Sequence, residues 1–284
     1  MRIAYIHDLA SGIDRFLPLL SKRSVLYGQL IGILVRIRRS PETFSQEKPH
    51  LWLIENSAGE LIGGACRTPP HPLQFSLMED EVLRALAIKV HEDDPSCPGV
   101  IGPTPQVGTL ARAMEPAENS AKPRLTMTLY GLTNLQRKPK GTLTYRKAES
   151  EDFDLVSQWM YRFAIDCNLP DGPMPEDRLR SELDEGRIEL GLSRAQEPVL
   201  MFKAVLLGET RTLRVGAVYT PDEHRGKGYA TEGLAKVIDK MLGVEVDAVT
   251  LFADKNNPVS NRMYLNLGFE QVADINMMNW APLS

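Results

Sequence analysis

Arg225, Gly226, Lys227 and Gly228 are the residues in this chain whose types and spacing most plainly suggest chemistry. Two glycines and two cations stand directly before a helical stripe of Ala230, Leu234, Val237, Ile238 and Met241. A loop that opens onto a helix leaves backbone N–H groups unpaired. With the positive end of the helix dipole, those donors suit a phosphate or pyrophosphate. The glycines let the chain bend and let a ligand approach the backbone closely. A second set lies downstream. Asn257, Ser260 and Tyr264 are spaced by three and four residues, which places them on one helical face. The residues alone leave both sets open to plainer readings, an ordinary basic surface turn and a solvated helix face. Neither G-x-x-x-x-G-K-[ST] nor G-x-G-x-x-G occurs here, so no nucleotide triphosphatase or dinucleotide dehydrogenase is indicated.

The elements that must position these residues are legible on either side. Leu213, Val215, Ala217 and Tyr219 are apolar at every second position, as on one face of a strand, and Pro221 ends the ladder. Val249 to Ala253 reads as a short buried strand. Asn256, Asn257 and Pro258 then form a helix start, with an Asn cap and Pro in the first turn, and Gly268 is suited to the left-handed stop.

In this arrangement, the run from Val218 to Ala230 resembles the acetyl-CoA-binding motif [RQ]-x-x-G-x-[GA] of the GNAT-superfamily N-acetyltransferases. The run from Asn257 to Phe269 resembles that superfamily's following motif, N-x-x-[SA]-x-x-x-Y ending in G-F. The resemblance implies an α+β fold with a mixed central sheet and flanking helices, acetyl-CoA as co-substrate, and direct acetyl transfer to a primary amine. It implies that the backbone of Arg225, Gly226, Lys227, Gly228, Tyr229 and Ala230 holds the CoA pyrophosphate. Ala217, Val218 and Tyr219 would pair with the pantetheine arm like an added strand, and Asn257 or Ser260 would bond it from the other side. Tyr264 would be the catalytic residue, donating a proton to the departing thiolate. A thiol ionises near ~8.5 and a tyrosine near ~10, so the phenol still carries its proton at neutral pH. Such general-acid help is worth about 10²–10⁴ in rate. The attacking amine must be neutral, and no residue in the sequence identifies itself as its base.

The 284-residue length suggests about two domains. A formal charge of −4 argues against a general nucleic-acid binder. Cys66, Cys97 and Cys167 are scattered without a C-x-x-C, which suits reduced thiols and a cytoplasmic setting. No signal peptide or membrane span is read, and Leu26 to Val35 is a buried strand or helix. The five histidines never fall at i, i+4 spacing, so no metal site is expected, and His224 reads as an exposed loop residue.

The polar, basic stretch 136–141 suits a linker between a first domain at 1–135 and an acetyltransferase domain at 142–284. In the second, a strand, two helices and three strands precede the phosphate-loop helix, an order compatible with the superfamily. In the first, a hairpin over Leu51–Thr68, helices over Glu79–Val90 and Val107–Met114, and a strand over Leu125–Tyr130 suggest a degenerate copy of the same fold, as in tandem members. Neither motif occurs in residues 1–139.

The segment from Asp166 to Asp177 is the candidate acceptor lid. Its Asp166, Asp171, Glu176 and Asp177 would attract a cationic amine, small-molecule or peptide, although acids at a helix N-terminus are also ordinary. Three other readings share these features: a non-catalytic acetyl-CoA sensor, an aminoacyl-tRNA-dependent transferase, and a scaffold whose first half binds a protein partner. Oligomeric state is not readable.

Overall fold

The computed structural model describes residues 1–40, 48–115, 121–169 and 172–280. The chain divides into two compact units, residues 1–127 with 273–284, and residues 128–272. Both follow one order of elements, strand, two helices, three strands, helix, strand, helix, strand.

In the first unit these are β1 (Arg2–Tyr5), α1 (Leu9–Ser21), α2 (Ser24–Arg39), β2 (His50–Glu55), β3 (Leu61–Arg67), β4 (Leu73–Phe75), α3 (Asp80–Asp93), β5 (Gly99–Pro103), α4 (Gln106–Met114) and the start of β6 (Lys122–Leu132). The apolar run from Leu26 to Val35 is therefore helical, with Leu30, Ile31 and Leu34 in the core. The hairpin expected over Leu51–Thr68 is β2 and β3 in antiparallel register.

The second unit holds β7 (Thr144–Lys147), α5 (Phe153–Asp166), α6 (Glu176–Asp184), β8 (Ile188–Leu192), β9 (Pro198–Leu207), β10 (Thr212–Tyr219), α7 (Tyr229–Met241), β11 (Ala248–Asp254), α8 (Pro258–Leu267) and the start of β12 (Glu270–Asn279). Its strands lie in the order β6-β11-β10-β9-β8-β7. Two apolar layers cover the sheet. On one face Phe202, Val215 and Leu251 pack with Leu234, Ile238 and Leu267 of α7 and α8. On the other, Leu190 and Met201 pack with Trp159, Leu179 and Leu183 of α5 and α6.

The first unit takes its last strand from the far end of the chain. Ile275 to Asn279 of β12 pair antiparallel with Pro103 to Gly99 of β5 in the first unit. Residues 128–132 of β6 instead belong to the second, where Tyr130 and Leu132 enter the core. The sequence places one division at 136–141, whereas strand pairing divides the chain at 127/128 and again at 272/273. The 136–141 stretch is also anchored. The backbone N–H groups of Lys140, Gly141 and Thr142 donate to the buried Glu232 carboxylate of α7 at 2.8, 2.6 and 3.1 Å.

Among the described residues, no helix is long and apolar enough to cross a membrane.

Candidate active site

The centre of the site is a fork between β10 and β11. These strands pair in parallel only from Thr212↔Ala248 to Val215↔Leu251, yet β10 runs on to Tyr219 and β11 to Asp254. The fork coincides with a bulge. The β9–β10 register shifts between Gly216 and Tyr219, and Ala217 takes a left-handed φ of 46°. A bulge bends its strand and interrupts the ladder. It also corrects the alternation expected from the sequence. Leu213 and Val215 face α7 and α8, whereas Ala217 and Tyr219 pack on the α5/α6 side and Val218 returns to the first face. The extra residue at the bulge resets the period of two.

Beyond Tyr219, a 3₁₀ turn at Asp222–His224 leads into the glycine loop. Gly226 and Gly228 adopt φ of 74° and 81°, and Gly228 caps α7 in the left-handed region. A Cβ on either would meet nothing within 4 Å, so the loop is an open cradle at the head of the helix. An L-residue with a side chain would be strained at both positions. Arg225, Gly226, Lys227 and Gly228 are exposed, and Tyr229 and Ala230 are half-buried against the core. Arg225 is braced from several sides. It donates to the Thr220 carbonyl at 3.0 Å and pairs with Asp166 at 2.5 Å and with Asp222 at 2.9 Å. The Asp166 pair clasps the loop to the end of α5.

His224 is not the exposed loop residue expected. It is half-buried, edge-on to Tyr229, with Nδ1 enclosed and unpaired among the described residues. The enclosed Thr220 Oγ1 and Asn261 Oδ1 also lack a partner there.

Across the fork stands α8. The Asn257 side chain accepts the Ser260 N–H at 3.1 Å, the expected cap, and Pro258 occupies the first turn. Asn257 is exposed, Ser260 half-buried and Tyr264 buried, so their shared face descends from solvent into the core. Gly268 ends the helix at φ 106°, where a Cβ would stand 2.7 Å from the Asn134 carbonyl oxygen. Asn261, which the motif leaves unspecified, secures the loop before the helix. Its amide donates to the carbonyls of Asp254 and Lys255, both at 3.1 Å.

Tyr264 packs against Phe269 at 5.8 Å and Tyr130 at 6.0 Å between ring centroids. Its hydroxyl makes no hydrogen bond among the described residues. Burial holds its phenol above the usual tyrosine range, with Cys167 and Tyr130 adding to the effect. Cys167, beside Asp166, is pushed up to about 11 by burial, reinforced by Asp166 and Asp254, so it rests as a thiol.

The acids of the candidate lid are accounted for in different ways. Asp166 pairs with Arg225, Glu176 and Asp177 stand in the first turn of α6, and Asp171 lies outside the described residues. A charged cluster around the buried Glu182, which the sequence reading missed, lies on the same side of the sheet. Glu182 of α6 pairs with Lys203 of β9 at 2.5 Å and with Arg187 at 3.5 Å, while Arg178 stands at 4.0 Å. Arg214 of β10 is close enough to feel the field of Glu182.

Among the described residues, the first unit has no comparable cradle. Between β4 and α3 it carries Ser76-Leu77-Met78-Glu79 without glycine. The Leu77 N–H donates to the Tyr27 hydroxyl at 2.9 Å, and the Met78 carbonyl accepts from Gln106 at 2.8 Å. Glu79, Asp80 and Glu81 crowd the start of α3, where they oppose an anion.

Comparison with known proteins agrees with this geometry. Residues 161–269 match the acetyltransferase (GNAT) family model. A search of curated proteins found no match. A tandem GNAT protein from the clavulanic acid biosynthesis pathway is similar over 100% of both chains, with a TM-score of 0.57 and 14% identity. A GCN5-related N-acetyltransferase from Sphaerobacter thermophilus has a TM-score of 0.58 and 14% identity over 97% of this chain and 94% of its own. A GNAT-family acetyltransferase from Colwellia psychrerythraea has a TM-score of 0.54 and 14% identity over 99% of this chain and 100% of its own. At such identities these structures speak to the fold. With the fork, the cradle and the family match in one segment, residues 161–269 are an acetyltransferase domain of the GNAT family, which moves an acyl group from acyl-CoA to an amine.

Proposed function

We propose that the second unit transfers an acetyl group from acetyl-CoA directly to a primary amine. The observation that carries this reading is the fork: β10 and β11 part after Val215 and Leu251, and the parted strand leads into an open loop with two left-handed glycines at a helix N-terminus. The residues present fit acetyl-CoA. The backbone N–H groups from Arg225 to Ala230 would hold its pyrophosphate, with Lys227 adding charge. The free backbone edge of Ala217, Val218 and Tyr219 would accept its pantetheine arm as an added strand. Ser260 and the Asn257 amide nitrogen, which the cap leaves unused, would bond the arm from α8. Bound acetyl-CoA supplies an acetyl thioester, whose acyl group passes to the amine nitrogen as the thiolate departs.

In this reading Tyr264 supplies a hydrogen bond to the sulfur as negative charge develops there. Its phenol holds its proton more tightly than an ordinary tyrosine. Even an ordinary phenol, near ~10, is a weaker acid than a thiol near ~8.5, so full proton transfer is uphill and the donated hydrogen bond is the contribution. Backbone N–H groups along the bulge would stabilise charge developing on the thioester oxygen. The first unit, with its acid-lined α3 start, is assigned no cofactor.

Calorimetric titration with acetyl-CoA tests the reading, with Gly228→Glu as the control. Glutamate there would impose strain at φ 81° and place a carboxylate in the anion cradle. One-to-one binding by the native chain, lost in the variant, is the expected result. No binding by the native chain would overturn the proposal. Binding without turnover of any amine would turn it toward the sensor reading.

A further inference from the structure

Arg214 is a charge in the second unit that neither the fold nor the proposed cofactor uses. It sits on β10 two residues before Gly216, about 7 Å along the strand from the bulge. Leu213 and Val215 face α7 and α8, so Arg214 faces the α5/α6 side. That side also carries Ala217 and Tyr219. Its guanidinium makes no hydrogen bond or ion pair among the described residues, although burial pulls its pKa below the usual arginine range.

The neighbouring charges do not neutralise it. Glu182, 3% exposed, is the carboxylate that Arg214 senses, and Lys203, Arg187 and Arg178 already surround it. Glu185 pairs with Arg187. Four cations thus meet two carboxylates, and Arg214 is the cation left without a contact. Arg214 is half-buried, so its guanidinium is partly desolvated without a protein partner and remains within reach of an anion from solvent. Its planar fork matches a carboxylate in a two-bond pairing.

Resting on the acetyltransferase reading, we propose that the acceptor is an amine that also carries a carboxylate, and that Arg214 binds this carboxylate while the amine faces the bulge. The acceptor class is then an amino acid or a compound with amine and carboxylate a few bonds apart. Asp166, by contrast, is engaged by Arg225 and is not free to select the acceptor's positive charge.

The test measures thiol release from acetyl-CoA with each common amino acid and β-alanine, each paired with the amine lacking its carboxylate. At least one acid should exceed its partner tenfold or more in kcat/KM. Arg214→Gln should bring that ratio near one, chiefly through KM, and Arg214→Lys should retain part of it. Because a half-buried charge without a protein partner is removed, Arg214→Gln should melt near or above the native temperature, which separates lost recognition from lost folding. Arg214→Gln should also still bind acetyl-CoA by calorimetry. Equal turnover of the paired amines, an unchanged ratio in Arg214→Gln, or a preference for O-phosphoethanolamine over β-alanine would overturn the proposal. Acetyl-CoA binding with no turnover of any carboxylate-bearing amine would refute it alone, whereas no acetyl-CoA binding would refute the reading beneath it.

Discussion

Replacing Tyr264 by Phe isolates one oxygen atom. The ring is 6% exposed and packs against Tyr130 and Phe269, contacts that phenylalanine keeps. The hydroxyl has no hydrogen-bond partner among the described residues, so its loss should change stability by less than about 0.5 kcal/mol. The catalytic effect should be far larger. A hydrogen bond to a charged acceptor is worth about 1.5–3 kcal/mol. If that bond forms only as the thiolate develops, kcat should fall about 10- to 150-fold. Full general-acid catalysis would allow up to about 10⁴. The smaller range is expected because burial weakens Tyr264 as an acid. The assay is thiol release at saturating acetyl-CoA, beside thermal unfolding and calorimetric titration of the same variant. The unfolding temperature and acetyl-CoA affinity should stay near native while kcat falls. A native kcat in Tyr264→Phe would refute the role, and a fall accompanied by a large loss of stability would assign the tyrosine to packing.

Asp166→Asn should free Arg225 from its clasp and tighten acetyl-CoA binding by up to about fivefold, since an exposed ion pair is worth at most about 1 kcal/mol. Calorimetry at low and high salt checks this, and weaker binding would overturn it. Lys203 should give a pH signature. Burial pulls its ammonium down to about 8, opposed by Glu182. Between there and the unfolded value near ~10.4, the unfolded chain holds more protons, so this group makes stability rise with pH in that window. Below it the cost of burying the charge is present in full. Between pH 7.5 and 10 the urea midpoint of the native chain should therefore rise relative to that of Lys203→Met, while the buried thiols of Cys66, Cys97 and Cys167 pull both chains the other way. An unchanged slope in the variant would show that another group titrates.

The parts legible in the sequence are those with local causes. Gly226 and Gly228 show where the backbone must turn left-handed, Asn257 and Pro258 show how α8 begins, and Gly268 shows where it ends. These are encoded within a few residues, because caps, turns and helical stripes depend on neighbours at i+3 and i+4. The element order of the second unit and the family resemblance follow from the same local signals. Other features are settled by pairing between distant segments. Arg225 meets Asp166 across 59 positions, and Glu232 holds Lys140 across 92. The bulge that turns Ala217 away from Val215's face arises from the register with β9, and α8 sinks Tyr264 into the core while leaving Asn257 exposed. β12 completes the first unit only through its register with β5, a pairing that no stretch of contiguous sequence specifies. Arg214 reads as an unremarkable strand cation until folding brings Glu182, Lys203, Arg178 and Arg187 around it and leaves it unmatched. Local sequence therefore determined the loop, the caps and the chemistry they imply. Only the tertiary structure decided which charges are neutralised and which are held ready, because charge balance depends on every group that folding brings within reach.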